Sequence, residues 1–68
     1  MMTAEQFRDT LSLLEMTERD FARHLGLGLR TVHGYAAGRP IPLQVVILAR
    51  LLLGGAVSVR DLDGVRLA

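Results

Sequence analysis

Apolar residues recur at helical spacing through the first half of the chain and then crowd together in the second half. Phe7, Leu11 and Leu14 fall on one side of a helix whose other side carries Arg8, Asp9, Ser12 and Glu15. Thr3, with Gln6 three residues on, supplies a capping pair for its start, and the helix is expected to end near Glu15. Thr17 repeats the starting signal ahead of Glu18, Arg19 and Asp20, with acids where the helix dipole favours them. Phe21, Ala22 and Leu25 form the inward stripe of this second helix. Gly26 is placed to end it, Leu27 to plug the core, and Gly28 to start the next. A third helix over Leu29 to Ala37 turns Val32, Tyr35 and Ala36 inward, and Gly38 stops it.

Beyond the stiff run Arg39-Pro40-Ile41-Pro42 the pattern changes. Pro42 suits the first turn of a fourth helix, Pro42 to Leu53, which is apolar nearly all round. Val45, Leu48, Ala49 and Leu52 are assigned to the core, which leaves Leu43, Val46, Ile47, Leu51 and Leu53. A helix with two apolar faces is normally covered on both. The surplus is expected to form a homodimer contact, the alternatives being a larger partner or a tight core. Gly54-Gly55 breaks the helix. Ser58 and Asp61 then read as the cap of a short fifth helix, Val59 to Asp63. The rival is a hairpin, Val57 to Leu62 turning at Asp63-Gly64 into Val65 to Leu67. The fold class expected is therefore all-α, a compact four- to five-helix domain spanning residues 1–68.

At 68 residues there is room for one such domain, and no cysteine is present to staple it. Half the residues are apolar and the mean hydropathy is +0.32, which again points to a covered second surface. The stretch from Ile41 to Leu53 is too short and too interrupted to span a bilayer. No membrane partner is expected, and with no secretory pattern at the start the expected location is the cytoplasm.

The net charge of +1 is unevenly placed. Residues 1–18 set Arg8 against Glu5, Asp9, Glu15 and Glu18, a net −3. Residues 19–39 set Arg19, Arg23, Arg30 and Arg39 against Asp20, a net +3. The middle of the chain is thus a local basic segment, and all eight basic residues are Arg, whose planar fork suits phosphates and guanine edges. Catalysis finds little support. Thr10, Ser12, Thr17 and Ser58 lack a base with an orienting partner, and His24 and His33 lack acid or thiol ligands beside them. Gly26-Leu27-Gly28 is followed by no Lys-Ser/Thr pair of a phosphate loop. No enzymatic activity, metal or cofactor is expected.

Two short helices joined by a glycine-containing turn define a helix-turn-helix, whose second helix enters the major groove. The run from Thr17 to Gly38 resembles the lambda-repressor-like (Cro/C1, XRE) family, which pairs Leu-Ala and Leu-Gly with a following Thr-Val and a later Gly. Here these are Phe21-Ala22, Leu25-Gly26, Thr31-Val32 and Gly38. The resemblance covers about Thr3 to Leu53 and implies a DNA-binding regulator acting on double-stranded DNA, an (auto)repressor on an inverted repeat. Small members also include antitoxins, which implies a toxin or other protein as a further partner and an interaction module as the alternative function. Leu29, Arg30, His33 and Gly34 take the family's base-reading positions. Thr17, Glu18, Arg19, Thr31 and Arg39 take positions near the phosphate backbone. Glu18 stands where the family commonly has Gln, so a nearby cation such as Arg19 is required to offset its charge.

Overall fold

A computed structural model describes residues 1–62; the expectations that fall on Asp63, Gly64 and Val65 to Leu67 lie outside the described residues. Four α-helices follow one another: α1 (Ala4–Leu14), α2 (Glu18–Leu25), α3 (Leu29–Ala37) and α4 (Leu43–Leu53). A 3-10 turn, Val59–Leu62, closes the described chain, and no strand occurs among these residues. The all-helical expectation is met, and a helical turn rather than a strand occupies Val59–Leu62. Ser58 donates its backbone N–H to Asp61 Oδ2 at 2.8 Å, the capping contact that starts it. No helix among the described residues is long and apolar enough to cross a membrane.

The first two helices start by reciprocal capping. Thr3 Oγ1 accepts the Gln6 N–H at 3.1 Å while Gln6 Oε1 accepts the Thr3 N–H at 2.9 Å. At α2 the same exchange links Thr17 and Asp20, at 3.0 and 3.2 Å. Each box satisfies two backbone donors that the helix itself cannot pair, and losing such a cap typically costs about 1 kcal/mol. Gly28, at the start of α3, offers no side chain for this. Pro42 sits one residue earlier than its expected place inside α4: it is the N-cap, and its carbonyl accepts from Val45 and Val46.

The four helices stop in one way. A residue with positive φ reverses the chain, and the next residue's N–H returns to a carbonyl five positions back. Met16 bonds to Leu11, Leu27 to Ala22, Arg39 to Gly34 and Ala56 to Leu51, at 2.9 to 3.0 Å. The reversing residues are Glu15, Gly26, Gly38 and Gly55. At Gly26 (φ 67°) the absence of a Cβ makes this conformation free of strain, whereas Glu15 (φ 56°) adopts it with a side chain in place.

One buried cluster runs through all four helices and the 3-10 turn. Phe7, Phe21, Leu25, Val32 and Val45 are fully enclosed. The Phe7 ring meets Phe21 edge-on at 5.3 Å between centroids and Tyr35 at 5.9 Å, so one α1 side chain joins α2 and α3. Such pairs add about 0.5–1.5 kcal/mol beyond the area they bury. Thr10, the one buried polar side chain among the described residues, donates to the Gln6 carbonyl at 2.8 Å.

Helix α4 is rotated from its expected setting. Val46, assigned to a dimer contact, is 5 % exposed and belongs to the core, while Leu48 is only half-buried. Successive residues turn by roughly 100° around a helix, so Val45, Val46, Ala49 and Leu52 together face inward over a wide arc. Leu43, Ile47 and Leu51, 70 %, 47 % and 37 % exposed, follow one another at i, i+4 and i+8 on the opposite side. Leu53 stands apart from them and lines a shallow groove between α1 and α4 with Met2, Gln6, Leu13 and Arg50. Leu14 and Leu27, expected as core residues, are half-buried at its margin.

Candidate nucleic-acid interface

The basic middle of the sequence becomes α2, its turn and α3. Ala22, inside α2, is 4 % exposed, and Leu27, just past the reversal at Gly26, is bonded back to its carbonyl. Val32, Tyr35 and Ala36 hold the inner side of α3 against the core. Leu29, Arg30, Thr31 and His33 are exposed, as expected of residues that contact a partner. Thr17 and Arg19 are also exposed at the start of α2. The Thr17 hydroxyl is engaged with Asp20, accepting its backbone N–H at 3.0 Å.

Both carboxylates at the head of α2 are engaged. Glu18 Oε1 lies 2.9 Å from His33 Nδ1, linking the first turn of α2 to the middle of α3 across 15 residues. The cation that Glu18 requires is therefore His33 when protonated, rather than Arg19. With Nδ1 so engaged, Nε2 is the ring atom left for an outside partner. Asp20 accepts the Thr17 N–H and pairs with Arg23 at 3.1 Å. Hydrogen bonds from the Thr17 backbone and then its side chain hold the Asp20 carboxyl below the ordinary carboxylate value, with smaller help from Arg23 and His24. Among the described residues Arg19, Arg30 and Arg39 form no ion pair. Among the described residues no carboxylate is paired with these three guanidinium groups.

Gly34 is not an exposed contact residue. It lies on the side of α3 away from Val32, close to the row of Arg30, and is nevertheless buried. Arg39 covers it: a Cβ built at Gly34 would come within 2.8 Å of Arg39 Cδ and 3.4 Å of Nε. The N–H of Arg39 returns to the Gly34 carbonyl at 2.9 Å, which folds the residue back along the helix. Hydrogen bonding at a helix end thereby brings Arg39 out of the proline-rich connection and onto α3.

A further contact has no counterpart in the sequence pattern. Arg8 reaches from α1 to donate to the Ala36 carbonyl in the last turn of α3, 28 residues away. A cation there satisfies a free carbonyl and complements the negative end of the helix dipole. The hydropathy pattern places Arg8 on the solvent side of α1, and only its length permits the reach. Leu29, Arg30, Thr31 and His33 thus project from a helix tied to α2 by Glu18 and to α1 by Arg8. No protein-family model, curated protein or solved structure compared with this chain matches it.

Proposed function

We propose that the chain is a sequence-specific DNA-binding regulator in which α2 and α3 form a helix-turn-helix within a lambda-repressor-like fold and α3 lies in the major groove. The observation that supports this most directly is the outer face of α3. It carries Leu29, Arg30, Thr31 and His33, while the neighbouring carboxylates of Glu18 and Asp20 are occupied by His33, Thr17 and Arg23. Arg23 offsets the charge of Asp20, and a protonated His33 that of Glu18, which lessens the repulsion of phosphate at this face. Arg30 reads the O6 and N7 edge of guanine, Leu29 packs on a thymine methyl, and His33 offers Nε2, an acceptor in the neutral ring and a donor in the protonated one. Thr17, Arg19 and Thr31 contact the phosphate backbone and fix register.

Two copies joining through Leu43, Ile47 and Leu51 account for the apolar outer side of α4. In such a dimer the recognition helices meet successive major grooves about 34–36 Å apart, so the target is an inverted repeat. The role is binding, with no chemical step. The same apolar side supports a second reading, an antitoxin-like module that holds another protein there.

A gel-shift titration against duplex DNA from upstream of the chain's own gene, at low and moderate salt, tests the proposal. The native chain is expected to shift the duplex, with an affinity that falls as salt rises because counterions are released from each contacted phosphate. Arg30→Ala is expected to lose the specific shift. No shift at either salt would overturn the DNA reading in favour of the protein-binding one.

A further inference from the structure

Arg39 occupies space that a side chain at position 34 would fill. The four helix ends share one backbone device, in which the N–H of the residue after the reversal meets a carbonyl five positions back and so brings the two residues together. That contact is normally apolar. The paired residues Met16 and Leu11, Leu27 and Ala22, and Ala56 and Leu51 are all of apolar type. At α3 the pair is Arg39 over Gly34. The methylene stem of Arg39 supplies the apolar contact, and Gly34 leaves a seat in which Cγ, Cδ and Nε would each fall within 3.5 Å of an added Cβ. Gly34 also lies four residues after Arg30, so the two positions share one row along the exposed side of the helix.

Resting on the DNA-binding reading above, we propose that Arg39 is a base-reading residue: its guanidinium, seated on Gly34, reads a second guanine edge beside the one read by Arg30. Phosphate attraction requires only a positive charge, which a flexible lysine provides as well. A seat that holds the stem along Cγ, Cδ and Nε orients the planar fork, and orientation matters for a bidentate contact to O6 and N7. Neighbours at i and i+4 on a helix stand about 5–6 Å apart. Base pairs rise about 3.4 Å per step. The ligand recognised is therefore a duplex carrying two G·C pairs within three consecutive base pairs of each half-site.

Selection of bound sequences from a duplex pool with a randomised core tests this, using the native chain, Arg39→Lys, Gly34→Ala and Arg19→Ala. Arg39→Lys keeps the charge and loses the fork. Gly34→Ala keeps Arg39 and fills its seat, and alanine is the better helix former, so folding is preserved. Both variants are expected to lose roughly tenfold or more of the preference for guanine at one base pair. Their salt dependence should match the native chain. Arg19→Ala, acting on phosphate, is expected to weaken all sequences alike and flatten the salt dependence. If Arg39→Lys and Gly34→Ala rank the pool as the native chain does, Arg39 reads no base and the inference is overturned, with DNA binding intact. If the native chain retains no duplex from the pool, the DNA-binding reading itself is overturned, and this inference with it.

Discussion

Helices α3 and α4 are of similar length and each presents one side to the core and another outward, yet their outer sides are built on opposite terms. On α3 the outer side carries Arg30, Thr31 and His33 beside Leu29, and cross-links from Glu18 and Arg8 hold the helix in place. On α4 the outer row is Leu43, Ile47 and Leu51, with no hydrogen bond or ion pair to a side chain of either flanking helix among the described residues. A polar outer side determines which way a helix faces, because every alternative rotation would bury a charge. On α4 only Arg50, exposed at the edge of the outer row, imposes such a penalty, so apolar packing has the larger share in setting its rotation. The first arrangement favours a partner that is charged and specific in shape; the second favours one that is simply apolar.

The largest expected effect falls on the side chain that joins α2 and α3 in the core both regions pack against. Phe7→Ala removes the edge contacts to both Phe21 and Tyr35 and is expected to cost about 3–5 kcal/mol, enough to unfold much of a domain this small. Thermal melts should lose α3 and α4 in one transition; separate transitions would mean the two regions do not share a core. Next comes a direct test of how α4 faces. Val46→Ala is expected to lower stability by about 1.5–3 kcal/mol. Its neighbour Ile47→Ala should stay within about 0.5 kcal/mol of the native monomer while weakening self-association in sedimentation measurements. The reverse order would show that α4 faces the other way.

A smaller change sharpens the contrast between the helix ends. Glu15 takes the left-handed conformation that Gly26, Gly38 and Gly55 take at the other helix ends. Glu15→Gly is expected to raise stability by about 0.5–1 kcal/mol in denaturant titrations, the relief of strain outweighing the added freedom of the unfolded chain. The smallest effect concerns pH. Because the Asp20 carboxyl lies below its ordinary value in the folded chain, the unfolded chain binds its proton first as pH falls. Asp20 therefore stabilises the fold at neutral pH, and that stabilisation is lost as pH drops through the folded value. Asp20→Asn is expected to lower the melting temperature slightly near neutral pH and to flatten this part of the acid dependence.

The polar and apolar alternation made α1, α2 and α3 legible from the residues alone. Phe7, Leu11, Phe21, Ala22, Leu25, Val32, Tyr35 and Ala36 are all buried as their spacing requires, and Thr3 caps its helix with Gln6. In α4 the spacing exchanged Val46 for Leu48, since apolar residues run nearly all round this helix and only Gln44 and Arg50, both exposed, mark its outer side. The candidate interface was legible as a set of exposed residues but not as a set of contacts. Glu18 meets His33 across 15 residues and Arg8 meets Ala36 across 28, separations at which periodicity within one helix says nothing. Gly34 was misplaced for a related reason: its burial depends on where the chain goes after Gly38. A glycine on the outer row of α3 with an arginine just past the helix stop was the available signal.

The shared helix stop has a kinetic consequence. Each of the four reversals is closed by hydrogen bonds that span no more than six residues, so these boundaries can form before distant parts of the chain have met. A chain whose pairing is so local loses little entropy in closing loops, and helical domains of this kind fold in microseconds to milliseconds. The search left to the collapsing chain is then the docking of four pre-bounded rods, with Phe7 as the contact on which three of them converge.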